Sequence, residues 1–197
     1  EDGEVLRAGL ASARWITVDD TAAVHAGRNG VTTQIGDGRF TAFRTSLSKS
    51  RTNFLDCLRA GHEDYLVDET ALAYMRRHNL AGPVIDRLSS HPQRSFPDRH
   101  AWAAHLEALG VAALEVTPDP VKIATQGAMW GAIRRHGLLD GTVVVSDDAG
   151  QFRVGKLQPL FVPIRLNLGV TLVLARENRP GTPESVDPAS GSVVPAM

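Results

Sequence analysis

The sequence predicts an α/β fold, and three observations carry that prediction. Two β-prone runs, Trp15-Ile16-Thr17-Val18 and Thr142-Val143-Val144-Val145-Ser146, lie near the two ends of the patterned part of the chain. A hairpin pattern follows the first run. Between the hairpin and the second run the apolar residues recur at helical spacing. The 197 residues are 43% hydrophobic and 22% charged, which supplies one sizeable core.

Each element has a local reason. Val31 to Ile35 and Phe40 to Phe43 flank Gly36-Asp37-Gly38, residues that tolerate the backbone angles of a tight turn. Ser50 is placed to cap a helix with Phe54, Leu55 and Leu58 on one face, stopping at Gly61. Asp68 caps a second, with Leu72 and Met75 inward and Gly82-Pro83 as its end. Asp98 caps a third, in which Trp102, Leu106 and Leu109 align before Gly110 closes it. Val121 to His136 forms a fourth with Ile123, Trp130 and Ile133 on one side. Ser89 to Pro97 and Thr117 to Pro120 read as loops.

Composition removes several classes of function. No apolar run approaches the roughly 20 residues of a membrane helix. The single Cys57 cannot form an intramolecular disulfide, and the opening Glu1-Asp2-Gly3-Glu4 is unlike a secretory leader, so a reducing cytoplasm is expected. A net charge of −1 excludes a histone-like basic binder but leaves room for a local cluster of Arg, such as Arg28, Arg39, Arg44, Lys49 and Arg51. That cluster reads equally as a phosphate-contacting strip or as a solvated face. Cys57, Trp102 and Trp130 read as core residues, and the seven His lack partners at zinc spacing.

The chain changes character near residue 155. All His, Trp and Tyr lie before that point, whereas residues 156 to 197 hold six of the eleven Pro. Leu157 to Ala175 has strand-like composition weakened by Pro159 and Pro163. From about residue 179 the composition is that of a disordered segment.

Both β-prone runs end in an acidic pair, Asp19-Asp20 and Asp147-Asp148. Carboxylates at the ends of neighbouring strands can converge on Mg²⁺ or Mn²⁺, hard cations that take oxygen ligands. A pair of such ions can activate a nucleophilic oxygen and stabilise the leaving oxygen of a phosphodiester. From spacing alone, turn and capping roles explain these acids as well.

Five stretches carry a resemblance: Trp15-Ile-Thr-Val-Asp-Asp-Thr21, His25-Ala-Gly-Arg-Asn-Gly-Val-Thr-Thr-Gln-Ile-Gly36, Ser48-Lys-Ser-Arg-Thr-Asn-Phe54, Ala71-Leu-Ala-Tyr-Met75 and Val145-Ser-Asp-Asp-Ala-Gly-Gln-Phe152. Over about residues 1 to 155 the chain resembles bacterial insertion-sequence transposases of the acidic-triad (DDE) class, in particular the group related to insertion-sequence family sixty-six. The resemblance implies a ribonuclease H-like core, a mixed sheet with flanking helices, whose first strand carries one catalytic Asp and whose fourth carries the next. It implies Mg²⁺ or Mn²⁺ as cofactor, transposon ends and target DNA as partners, a homo-oligomer in the intact relative, and a place on the bacterial nucleoid when DNA is bound. Residue by residue, Asp19 and Asp147 become the expected catalytic metal ligands. Asp20 and Asp148 are the alternative ligands or groups that orient metal-bound water, and Thr21, Ser146 and Gln151 are candidate hydrogen-bonding neighbours. The helices from about 62 to 137 become an insertion before the fourth strand.

The pattern then departs from that family. Its catalytic Glu lies on a later helix, whereas here Gly155 is followed by Lys156-Leu-Gln-Pro-Leu-Phe-Val-Pro, and only Glu177 and Glu184 remain. We therefore expect an incomplete core, inactive for want of a third ligand, with residues 156 to 197 as an off-pattern tail from an interrupted or frameshifted gene. Glu1 is not an initiator, which agrees with that expectation. The competing expectations are a non-catalytic DNA-binding or assembly remnant, a complete nuclease using Glu177, and a fragment that folds poorly.

Overall fold

The computed structural model describes residues 2–25, 27–147, 149–154, 159–161 and 173–175. Helix α1 (Asp2–Ser12) leads into strands β1 (Trp15–His25), β2 (Arg28–Gly36) and β3 (Thr41–Ser46), and then into α2 (Arg51–Leu58). A helical stretch follows: β4 (Tyr65–Leu66), α3 (Glu69–Arg77), α4 (Gly82–Ser90), β5 (Ser95–Phe96), α5 (Arg99–Ala108) and α6 (Pro120–Arg135). Strand β6 (Val143–Val145) closes the patterned region, a single 3₁₀ turn covers Gly150–Phe152, and β7 (Pro159–Phe161) pairs with β8 (Val173–Ala175).

The main sheet has the order β3-β2-β1-β6. The first three strands form an antiparallel meander, whereas β6 joins β1 in parallel, with Trp15, Ile16 and Thr17 opposite Val143, Val144 and Val145. Hence the class is α/β with a mixed sheet. Alternation turns Ile16, Val18 and Ile35 to one face, where they share a single hydrophobic cluster with Leu6 and Leu10 of α1 and Phe54, Leu55 and Leu58 of α2. The opposite face carries exposed Asp19, Thr21 and Phe43.

Capping chemistry places the helices where local sequence puts them. The Ser50 hydroxyl accepts from the Asn53 amide at 3.1 Å, and Asp68 and Asp98 accept from Ala71 and Ala101 at 2.8 Å each. Each such cap contributes about 1 kcal/mol. Two expectations need correction. Gly82-Pro83 does not end α3, which stops at Arg77 with His78 as its cap, but opens α4, with Pro in the first turn, where its missing N–H costs nothing. The segment from Ser89 is likewise not all loop, since α4 runs to Ser90 and Ser95 and Phe96 pair with Leu66 and Tyr65.

Helix α6 is the pivot of the helical stretch. Gln126 on α6 is 2% exposed, donates to the Thr52 hydroxyl of α2 at 2.9 Å and accepts from the Tyr74 hydroxyl of α3 at 3.2 Å. Trp102 of α5 donates its indole N–H to Thr125 of α6 at 3.0 Å. One turn apart on α6, Gly127 and Gly131 let α3 and β4 come close. A Cβ at Gly131 would lie 2.5 Å from the Leu66 carbonyl oxygen and 3.0 Å from the Asp68 carboxylate that caps α3. Because the first of these is backbone, a methyl group there forces the elements apart. We predict that Gly131→Ala lowers unfolding stability by about 1–3 kcal/mol. Urea denaturation measures this, and an unchanged midpoint would show that α6 and β4 are not packed this closely.

Candidate metal centre

The parallel register relates Asp19 to Asp147. Strand β1 does not end at Asp19 and Asp20, as the sequence led us to expect, but continues to His25, with Asp19 opposite Gln34 and Asp20 opposite Thr33 of β2. Pairing with β2 extends it, although Thr21-Ala22-Ala23 has little strand character of its own. On the other side, β1 loses its β6 partner after Thr17, opposite Val145. Asp19 therefore lies two residues past the last β1–β6 pair, and Asp147 lies two residues past the same pair on the neighbouring strand. Adjacent strands run about 4.8 Å apart. Both side chains are exposed. Asp148 lies outside the described residues, as do Glu177 and Glu184.

Consecutive acids on a strand face opposite ways. Asp20 turns to the face of Ile16 and Val18, half-buried, where its Oδ1 accepts from the Thr33 hydroxyl at 2.6 Å and its Oδ2 from the Gln151 amide at 2.9 Å. Asp19 keeps its carboxylate on the open face, and its Oδ1 accepts the Asp20 amide at 2.8 Å. The Asp147 Oδ1 accepts from the Ala149 amide at 3.1 Å and so starts the turn into Gly150–Phe152. Asp19 and Asp147 thus retain oxygen lone pairs toward solvent, whereas both oxygens of Asp20 have protein donors.

The segment after Asp147 is fastened at three points. Gln151 reaches Asp20 on β1. Arg51 on α2 donates to the Gly150 carbonyl oxygen at 2.7 Å. Phe152, 3% exposed, sets its ring edge-on to Phe54 with centroids 5.0 Å apart. Arg51 therefore acts as a bracket between helix and loop. Arg39 is likewise engaged, bound to Asp37 at 2.9 Å, and that bond holds the Asp37 carboxyl below its ordinary range. Arg44 and Lys49 are exposed, and nothing is described of the Arg28 side chain. Thr21 is exposed and Ser146 buried, and Gln151 makes the hydrogen bond to an acid foreseen for these neighbours. Cys57 is buried, and burial raises its thiol to about 11, which leaves it inert.

Arg51 also contacts the ring of His78, with Nη1 3.5 Å from Nδ1. Burial, helped by the charges of Arg51 and Arg77, lowers His78 to about 4. A neutral ring can accept from Arg51, whereas a protonated one repels it.

No protein-family model matches the chain. No solved structure matches it either. An uncharacterized protein, y4jO of Sinorhizobium fredii (strain NBRC 101917 / NGR234), is 45% identical over 151 residues, which is 77% of this chain and 46% of that protein. The chain spans about half the length of this relative. No helix among the described residues is long and apolar enough to cross a membrane.

The His78 environment yields a pH prediction. Its folded value lies below the roughly 6.5 of an unfolded His, so the folded state binds fewer protons between these limits. This part of the stability is present above about pH 6.5 and is lost as pH falls toward 4. His78→Gln should therefore flatten the fall of the thermal midpoint between pH 6.5 and 4. A variant that follows the wild-type slope would mean that His78 does not resist protonation.

Proposed function

We propose that this chain is part of the catalytic core of a DNA transposase of the acidic-triad class, with a ribonuclease H-like fold and Asp19 and Asp147 as divalent-metal ligands. The observation that supports the reading is the parallel β1–β6 pairing, because Asp19 and Asp147 each follow the last pair, Thr17 with Val145, by two residues on neighbouring strands. In the order β3-β2-β1-β6 the strand that precedes Asp147 lies beside the strand that carries Asp19, which supports the fold assignment because the resemblance puts the two catalytic Asp on the first and fourth strands.

The donor set suits a hard cation. Two exposed carboxylates with oxygens open to solvent fit Mg²⁺ or Mn²⁺, which keep several waters and share few protein ligands. When bound, such an ion supplies Lewis acidity and an activated water for phosphodiester cleavage, and the freed 3′-hydroxyl serves for strand transfer. Asp19 and Asp147 would hold and orient it. Asp20 would position rather than ligate, since it is half-buried on the covered face and each of its oxygens already accepts from a side chain, Thr33 or Gln151. Gln151 thereby ties the turn that follows Asp147 to β1. The acidic-triad class calls for a third carboxylate, and Glu177 and Glu184 lie outside the described residues, so weak metal binding by Asp19 and Asp147 is what the described residues support.

Isothermal titration with Mn²⁺ tests the reading. Weak binding by the wild type should fall at least tenfold in Asp19→Ala and in Asp147→Ala, and less in Asp20→Asn, with the fold of each checked by circular dichroism. Binding unchanged in both alanine variants would sink the assignment. If duplex DNA is bound in EDTA with a steep salt dependence while no metal binds, the chain is instead a DNA-binding remnant with idle acids.

A further inference from the structure

A second group of ligand-type side chains lies away from the strand ends. His62 follows α2, Asp64 precedes β4, and His136 caps the C-terminus of α6. All three are half-buried. The two imidazoles stack with centroids 3.6 Å apart and planes 10° apart. His136 Nε2 lies 2.8 Å from Asp64 Oδ1, and Arg135 Nη2 donates to Asp64 Oδ2 at 2.6 Å. One ligand atom from each of His62, Asp64 and His136 can be chosen so that all lie within 4.8 Å of one another.

We propose that His62, Asp64 and His136 bind a single borderline divalent cation, of which zinc is the natural representative. Two imidazole nitrogens and one carboxylate oxygen match the three-ligand sets that zinc accepts, with the fourth position left to water. Magnesium and calcium are disfavoured here because they seek oxygen-rich surroundings. In a tetrahedral site with bonds of about 2.0–2.1 Å, ligand atoms lie about 3.3 Å apart. Closing the group around an ion therefore calls for the ligand atoms to draw in from separations of up to 4.8 Å and for the stacked rings to turn out of parallel. Arg135 is already in place to hold the outer carboxylate oxygen, since it donates to Asp64 Oδ2 and also to the Ser95 hydroxyl at 3.3 Å. Such a bond on the non-ligating atom fixes a metal-binding carboxylate.

The three ligands come from two parts of the chain, His62 and Asp64 from the loop between α2 and β4, and His136 72 residues beyond Asp64. A cation here would clamp the loop after α2 and the start of β4 to the end of α6. Helix α6 leads directly to β6, so the clamp would hold the helical stretch against the sheet. The proposal does not depend on any role of Asp19 or Asp147.

The full chain, stripped with EDTA and passed into metal-free buffer, is titrated with zinc chloride and separately with Co²⁺. One zinc per chain should bind with a dissociation constant of about 1 μM, and Co²⁺ should develop the visible absorption of a four-coordinate ion. Free zinc at about one hundred times that constant should raise the unfolding midpoint by about 5–10 °C. His62→Gln is the deciding variant, because a half-buried loop residue can be replaced without disturbing the core. It and His136→Gln should each weaken zinc at least tenfold and abolish the cobalt spectrum, while Asp19→Asn with Asp147→Asn leaves zinc binding unchanged. Failure of the wild type to bind zinc stoichiometrically would overturn the proposal. So would retention of wild-type affinity in His62→Gln.

Discussion

The parallel pairing of β1 with β6 is the contact on which the rest of the site depends. It spans three residue pairs and joins segments separated by the whole helical stretch. A three-pair ladder is too short to close so long an excursion by itself, since each hydrogen bond contributes only about 1 kcal/mol net. The surroundings complete the closure. The amide of Leu139 donates to the Leu10 carbonyl at 3.1 Å, the Thr142 hydroxyl to the Ala13 carbonyl at 2.8 Å, and the amide of Val143 to the Arg14 carbonyl at 3.0 Å. These contacts lead β6 along the end of α1 and into register. Upstream, α6 is fixed by Gln126 to α2 and α3, so β6 enters the sheet from a rigid helix. The spacing of Asp19 and Asp147 is thereby set by packing far from either residue.

The adjacent acids Asp19 and Asp20 take different roles because a strand turns successive side chains to opposite faces. On the open side Asp19 meets solvent. On the covered side a carboxylate at the rim of the core needs donors, and Thr33 and Gln151 provide them. Hydrogen bonds to a charged acceptor contribute about 1.5–3 kcal/mol, more than neutral pairs. Here they link three segments, β1, β2 and the turn after Asp147. Arg51 and Phe54 hold the same turn from the helix side, one by a carbonyl and one by ring contact. A loop gripped by an acid, a cation and an aromatic ring keeps Asp147 beside β1 although β6 has already ended.

What could be read in the sequence was local. The caps at Ser50, Asp68 and Asp98 are visible because a short polar side chain and an amide three residues later suffice to define them. The Gly36-Asp37-Gly38 turn is legible for the same reason, with Asp37 accepting from Arg39 at 2.7 Å and Phe40 at 3.3 Å. Helix α4 is harder to see, because Gly82-Pro83 has the same appearance at the end of one helix as at the start of the next. The length of β1 is illegible locally, since Thr21-Ala22-Ala23 is held extended by β2 rather than by its own preferences. That the two acid-bearing runs are neighbours in the sheet could be raised from the sequence only as a condition, as no local rule relates such distant strands. The bracket role of Arg51 and the meeting of His62 with His136 required three dimensions, because tertiary packing alone makes those contacts. Of the strand-like run 157–175 only β7 and β8 are described, and the segment expected to be disordered from 179 lies outside the described residues.

The two candidate cation positions differ in a way that makes them chemically separable. Asp19 and Asp147 present oxygen alone, whereas His62, Asp64 and His136 include two nitrogens. Affinity for nitrogen-containing sites rises steeply from Mn²⁺ to Zn²⁺, while Mg²⁺ has little use for imidazole. If both proposals hold, Mg²⁺ or dilute Mn²⁺ would therefore address the strand ends, and low zinc the histidines. His136 caps α6, and the chain runs from there through β6 to Asp147, so the two positions are joined by the segment whose placement sets the acid pair. A cation at the histidines would restrain that segment from one end, while the hydrogen bonds of Gln151 and Arg51 restrain it from the other. Such a cation would add a restraint at His136 to those that Asp20 and Arg51 already place on Gln151 and Gly150.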